Sequence, residues 1–275
     1  MAKKFSYVQR AAVFIAAGVT FFILLFLIAY ILINGIPNLK PSLFELKYTS
    51  ENVSMFPAII NTLIMVAVSL GISTPLGVFT AIYLVEYAGR ENPFVRVIRM
   101  TAETLSGIPS IVYGLFGMLF FVTYLKWGYS ILSGSVTLSI MVLPLIMRTT
   151  EESLKSVPDM YREASFGLGA GKLRTIFRIV IPSAIPGILS GIILAMGRII
   201  GETAALIYTA GTVAELPEGL MSSGRTLAIH MYLLSSEGFN TNEAYATAVV
   251  LLAVILIINA ASTKAANRLG GKHEI

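Results

Sequence analysis

Arg198 and Glu202 stand four residues apart inside a stretch, 179–211, that carries no other charge. A charge at bilayer depth costs several kcal/mol unless it is paired or hydrated, and so marks a functional site by default. On one helical face an i,i+4 Arg–Glu pair offsets part of that cost, and a structural ion pair holding helices in register is one reading. The other is anion handling. A guanidinium presents a planar fork of donors matched to an oxyanion. Glu202 could then accept a proton from a protonated oxyanion such as hydrogen phosphate, which sulfate does not have to give. Arg148, at the end of another uncharged run, would be a second positive station, with a plain topology charge as its alternative. Other chemistries find no residues. Cysteine is absent, which removes disulfides and thiolate metal sites. His230 and His273 are far apart in sequence, which argues against a histidine-based metal centre. No Ser/His/Asp, paired-Asp or His-Glu-x-x-His arrangement lies in the uncharged runs, so no catalytic residue is expected.

The elements that must carry these residues follow from composition. Of 275 residues, 56% are apolar and 13% charged, against roughly 45–50% and about 25% in an ordinary soluble domain. One water-soluble globule cannot hide that much apolar surface, so a bilayer must take the excess. Uncharged runs predict six spans, at about 11–33, 58–85, 104–125, 129–147, 182–210 and 244–263, in a single transmembrane domain over 1–275. The 23 residues of the first run would span about 34 Å as a helix, against a hydrocarbon core of about 30 Å. They exceed the apolar region of about 7–15 residues of a cleavable signal, so this helix is expected to be retained. The fold class is an all-α polytopic membrane protein.

Fifteen of the 20 Lys and Arg fall on one side of such a topology, from Lys3, Lys4 and Arg10 through Arg90, Arg96 and Arg99 to Lys264, Arg268 and Lys272. Lys40, Lys47, Lys126 and Arg225 fall on the other. Loop bias of this kind puts both termini in the cytoplasm. The net charge of +5 is therefore a topology signal and not a nucleic-acid footprint. Prolines and glycines interrupt the spans at Pro75, at Gly107 with Pro109, and at Pro144, and such breaks are tolerated where backbone faces protein or water. Ser183, Gly187, Gly191 and Ala195 form one row of small residues in the fifth span, and Gly197, Gly201 and Ala205 another. Such rows let helices approach closely.

The loop 149–178 is the longest and most charged on the inner side. Pro158 and Asp159 read as a helix start, and Gly167, Gly169 and Gly171 as its left-handed end. A second short amphipathic helix, Lys172 to Val180, would then lead to Pro182. Gly171-Lys172 fails as a phosphate-binding loop, since Phe166 stands where the first glycine belongs and Leu173 where Ser or Thr belongs. ATP hydrolysis is thus not expected on this chain.

Glu163-Ala164-Ser165, three residues, Gly169, nine residues, then Ile179-Val180-Ile181-Pro182 resembles the "EAA" loop of binding-protein-dependent ABC importer permeases. That pattern is Glu-Ala-Ala-x3-Gly-x9-Ile-x-Leu-Pro, from which Ser165 and Ile181 depart. Arg198-Ile-Ile-Gly201-Glu202-Thr203-Ala204, Ile108 to Leu115 and Arg148 to Glu151 are similar to segments of phosphate ABC permeases. The sequence running on to Ala210 points to their A-type subunit. The resemblance implies a type I importer permease fold in a prokaryotic inner (plasma) membrane, with inorganic phosphate moved inward. It implies a heterodimer with a C-type permease subunit, an ABC ATPase dimer holding ATP and Mg, and an extracytoplasmic phosphate-binding protein, with no cofactor bound by this chain itself. It also makes 149–178 the coupling loop, with Glu163, Ala164 and Gly169 facing the ATPase, and Arg198, Glu202 and Arg148 on the substrate path. Permeases for molybdate, sulfate or a phosphonate are the near alternatives. An ion-coupled secondary transporter, which would need no docking loop, is the distant one.

Overall fold

The computed structural model describes residues 2–88 and 92–270, so Arg90 and Lys272 of the charge count lie outside the described residues. Helix α1 (Ala2–Gly35) leads through short 3₁₀ turns to α2 (Phe56–Ile82), which widens into a π-helical turn, Tyr83–Tyr87. Next come α3 (Pro93–Ser106), α4 (Ser110–Gly117) with its π-helical extension Met118–Tyr124, and α5 (Ile131–Lys155). Then follow α6 (Asp159–Gly167), α7 (Lys172–Thr175), α8 (Ile181–Ile200), α9 (Ala204–Ile207), α10 (Leu227–Glu237) and α11 (Thr241–Gly270). Among the described residues there is no strand. Among the described residues, five helical stretches are long and apolar enough to cross a bilayer, and α3 with α4 and its extension makes a sixth bent by 102°.

Four sequence expectations need correction. The third span does not begin at residue 104 as one rod. Gly107 closes α3, Pro109 opens α4, and the Tyr113 hydroxyl donates to the Leu105 carbonyl at 2.7 Å, pinning the bend. The fourth span runs past 147 to Lys155, because Arg148, Glu151, Glu152 and Lys155 pair along its last turns, so the connecting loop starts at Ser156. The fifth span does not continue to 210, since α8 stops at Ile200 with Gly201 as its cap and the chain breaks before α9. The helix expected over Lys172 to Val180 is not separate either. It runs on into α8 through a π-helical turn, Ile176–Val180, just before Pro182, whose missing N–H leaves a carbonyl without an α-type partner. Pro75 and Pro144, by contrast, sit inside unbroken helices.

Hydroxyls and glycines set the packing, as expected where no hydrophobic effect drives helices together. Ser69 Oγ donates to the Ser135 carbonyl and Ser139 Oγ to the Ser69 carbonyl, both at 3.1 Å, riveting α2 to α5. A Cβ on Gly187 would lie 2.9 Å from Ser153 Cβ, and one on Gly191 2.7 Å from Thr149 Cβ, so this row seats α8 against α5. The second expected row does not exist as one stripe, because the helix ends between Gly197 and Ala205. Ala205 packs instead against Gly114 of α4. A core of Met65, Ile131, Leu138, Val142, Ile146, Ala195, Ile199 and Leu206 fills the bundle centre. A second, of Ala81, Leu84, Val95, Leu154, Val157, Ile176 and Val180, gathers the ends of α2, α5 and α8 around α3. The stretch of α1 that would cross the bilayer buries no side chain and leans on α11, where Tyr30 meets Tyr245 edge to face at 5.9 Å.

Candidate functional site

Arg198 occupies the last turn of α8, where the helix dipole favours a cation. It shares a cavity of about 510 Å³ with Arg148 of α5. Arg99 and Glu103 of α3 and Glu151, Glu152 and Lys155 of α5 complete its charged lining. Two expected site residues thus meet. Arg148 Nε is 3.1 Å from Glu152 Oε1, with both side chains more than 60% exposed, so this pair is loose. Glu151 is nearly buried and its Oε1 takes Lys155 Nζ at 2.6 Å. Arg99 Nε lies 2.8 Å from the same oxygen, although its N–H is not aimed there. Among the described residues, Arg198 forms no ion pair with any carboxylate, Glu202 included.

Glu202 departs from expectation. It lies beyond the end of α8, outside the cavity lining, and its Oε1 accepts from the Ala205 N–H at 3.1 Å, capping α9. The i,i+4 pairing needed a continuous helix, and the break at Gly201 removes it. Arg99, Glu103, Glu151 and Lys155 were not candidate site residues from sequence, where Arg99 and Lys155 counted as topology charges and Glu151 only closed the Arg148–Glu151 segment. The signal was the mixed charge and apolar spacing of 93–106, an amphipathic helix with Val95 buried.

The second site is the turn after α5. Pro158 opens α6, and its Ser165 is buried with Oγ 2.8 Å from Thr175 Oγ1 of α7. Gly169 has φ +81° and reverses the chain. Glu163, Ala164 and Gly169 are all exposed. Around them apolar side chains also face outward, with Leu168 90% and Met160 66% exposed. Tyr161, Ala164, Leu168, Arg174 and Arg178 line a shallow hollow here. An apolar, basic-rimmed surface beyond the bundle end is of the kind that protein or membrane contacts cover.

At the opposite end, 212–226 folds back over the start of α2. Asn61 Nδ2 donates to the carbonyls of Glu215 and Arg225, both at 3.2 Å. Arg225 is buried, 4.5 Å over the Tyr48 ring, and Tyr48 meets the buried His230 of α10 edge-on. Burial, and then the Arg225 charge, push the His230 imidazole down to about 3, with the Val53 backbone opposing. Neither ring nitrogen reaches hydrogen-bond geometry, so that opposition is weak. The first turn of α10, Leu227 to His230, is buried throughout.

The family described as "Binding-protein-dependent transport system inner membrane component" matches residues 73–269. The chain is 35% identical over 266 residues, 90% of each protein, to the "Probable ABC transporter permease protein YqgI" of Bacillus subtilis. It is 34% identical over 250 residues to the "Phosphate transport system permease protein PstA" of Pasteurella multocida, covering 90% of this chain and 89% of that one. Its fold is that of the MetNI methionine ABC transporter in an inward-facing conformation, with a TM-score of 0.60 at 18% identity over 78% of this chain and 94% of that one. The broken third span, the charged cavity between α3, α5 and α8 and the hairpin beyond α5 are therefore parts of a multi-pass permease subunit, and the chain belongs to the binding-protein-dependent ABC importer inner-membrane family.

Proposed function

We propose that this chain is the A-type permease subunit of an ATP-driven importer that carries inorganic phosphate into the cytoplasm. One observation carries the reading: Arg198 and Arg148 line one cavity, and Arg198 has no carboxylate partner among the described residues. A guanidinium left unpaired at such depth is stabilised when an oxyanion occupies its fork. The names of PstA relatives at 34–37% identity support phosphate as that anion. Glu202 acts here as the cap that holds the α8–α9 break in shape, and so fixes where Arg198 ends.

In this reading the end bearing α6 is cytoplasmic, and Glu163, Ala164 and Gly169 meet an ABC ATPase dimer that binds ATP and Mg. A C-type permease subunit closes the cavity from the other side, and an extracytoplasmic phosphate-binding protein delivers substrate to the end bearing α10. The test is purification of the chain from its own membranes, identification of the co-purifying subunits, and uptake into proteoliposomes. Labelled phosphate should accumulate when ATP is supplied on the ATPase side, and sulfate, molybdate and phosphonate should compete with it poorly. Uptake of phosphate by the chain alone, driven by an ion gradient without ATPase subunits, would overturn the reading.

A further inference from the structure

Arg162 of α6 is the most heavily bonded cation among the described residues. Its Nε and Nη2 donate to Glu86 Oε1 at 3.1 and 2.8 Å. Its Nη1 donates to the Val157 carbonyl at 2.8 Å and to Asp159 Oδ1 at 3.2 Å, and its Nη2 to the Leu154 carbonyl at 3.0 Å. Arg162 is 13% and Glu86 8% exposed at the side chain. Glu86 sits in the π-helical turn that ends α2, and Leu154 in the last turn of α5. One planar fork therefore bonds α6 to the ends of two membrane helices.

A buried Arg–Glu pair adds little net stability, because apolar side chains of the same volume would do as well. What it adds is direction. Three of the five bonds, two to Glu86 and one to the Leu154 carbonyl, fix where α6 stands relative to α2 and α5, which a flexible ammonium or an apolar contact would not do. The other tie of α6, Ser165 to Thr175, leads through α7 into α8. The two ties thus reach the two helices that carry Arg148 and Arg198. A space of about 570 Å³ beside the ion pair, bordered also by Arg99 and Lys155, leaves the joint room to move. The π-helical turn that holds Glu86, Tyr83–Tyr87, is a rare geometry often found at functional positions.

We propose that Arg162 and Glu86 form the mechanical joint that passes movement of α6 to α2 and α5, which makes Arg162 a positioning residue for transport. The inference rests on the reading of α6 as the ATPase-docking helix. In the reconstituted complex, Arg162→Gln and Glu86→Gln should each keep the ATPase bound at the wild-type level and keep hydrolysing ATP. Phosphate moved per ATP should fall about tenfold, inside the usual range of coupling between sites. The chain has no native cysteine, so the Glu86→Cys/Arg162→Cys double variant can be bridged with a short thiol-to-thiol reagent, which should restore the ratio. An unchanged ratio in both single variants overturns the joint. So does loss of the ATPase from either one, since Arg162 would then only hold α6 folded, and so does failure of bridging to restore transport. Glu163→Lys, on the exposed face of α6, reads docking separately. Normal ATPase capture and transport in that variant would defeat the docking reading whatever Arg162 does.

Discussion

Arg198 shows how far side-chain type alone carries. An arginine in an apolar run announces itself in the sequence, and its anion-binding chemistry follows from the guanidinium. Its partner does not follow, because the four-residue spacing to Glu202 implies contact only if the helix continues, and Gly201 ends it. The corrected geometry changes the forecast. Arg198→Gln should leave assembly intact and cut phosphate uptake by about tenfold or more, the worth of one charge-assisted hydrogen bond of roughly 1.5–3 kcal/mol. Arg198→Lys should recover only part of it. Glu202→Gln keeps an acceptor for the Ala205 N–H and should transport nearly normally, whereas Glu202→Ala removes a cap worth about 1 kcal/mol. A strong defect in Glu202→Gln would mean that its charge, not its oxygen, is needed. His230 was legible only as an isolated histidine, since the contacts that bury it come from Tyr48 and Arg225, far off in the chain. Its folded value, about 3, lies below the ordinary 6.5. The unfolded chain therefore binds the extra proton between those values, and the stability from burying a neutral ring is complete above about 6.5 and lost as pH falls toward 3, at up to about 1.4 kcal/mol per unit. Thermal unfolding of the purified complex between pH 4 and 8 should show this slope, and His230→Phe should flatten it.

Helices were readable where their residues are apolar throughout, and misread where polar pairs or glycine decide the ends. Run-length reading stops a span at the first charge, so it cut the fourth at 147. Arg148, Glu151, Glu152 and Lys155 satisfy one another along α5 and let the helix go on. It also carried the fifth span through Gly201, because a stretch that is apolar apart from Arg198 and Glu202 hides a break whose reasons are a capping carboxylate and a glycine. The turn at Gly169 was visible because glycine there needs no partner to declare its use. At φ +81°, a Cβ added at Gly169 meets no atom within 4 Å, so the cost of Gly169→Leu begins with the left-handed backbone, roughly 1–2 kcal/mol. The variant should insert and assemble its helices normally while ATPase capture falls. Full capture would make the turn a mere connector. Gly191→Val tests the other kind of glycine. The added side chain meets Thr149, and overpacking by about 1–3 kcal/mol should loosen α8 from α5, seen as faster proteolysis across 156–180.

For the whole molecule, the family and the fold could be read from motifs, but the subunit is not a self-contained object. The spanning part of α1 buries no side chain, and the hairpin of α6 and α7 presents Leu168 and Met160 outward. Surfaces of this extent are completed by lipid or by other chains, so their use cannot be read from this sequence alone. The expected sidedness rests on fifteen basic residues against four. The structure adds two exposed reporters at opposite ends, Ser156 between α5 and α6 and Ser236 in α10. With no cysteine to remove, Ser236→Cys should react in intact cells with a membrane-impermeant maleimide, and Ser156→Cys should react only after permeabilisation. Because both side chains are exposed, a silent position reports a barrier and not burial. Labelling of Ser156→Cys in intact cells would invert the topology. The α6 hairpin would then face away from ATP, and neither the coupling site nor the Arg162–Glu86 joint could serve an importer driven from the cytoplasm.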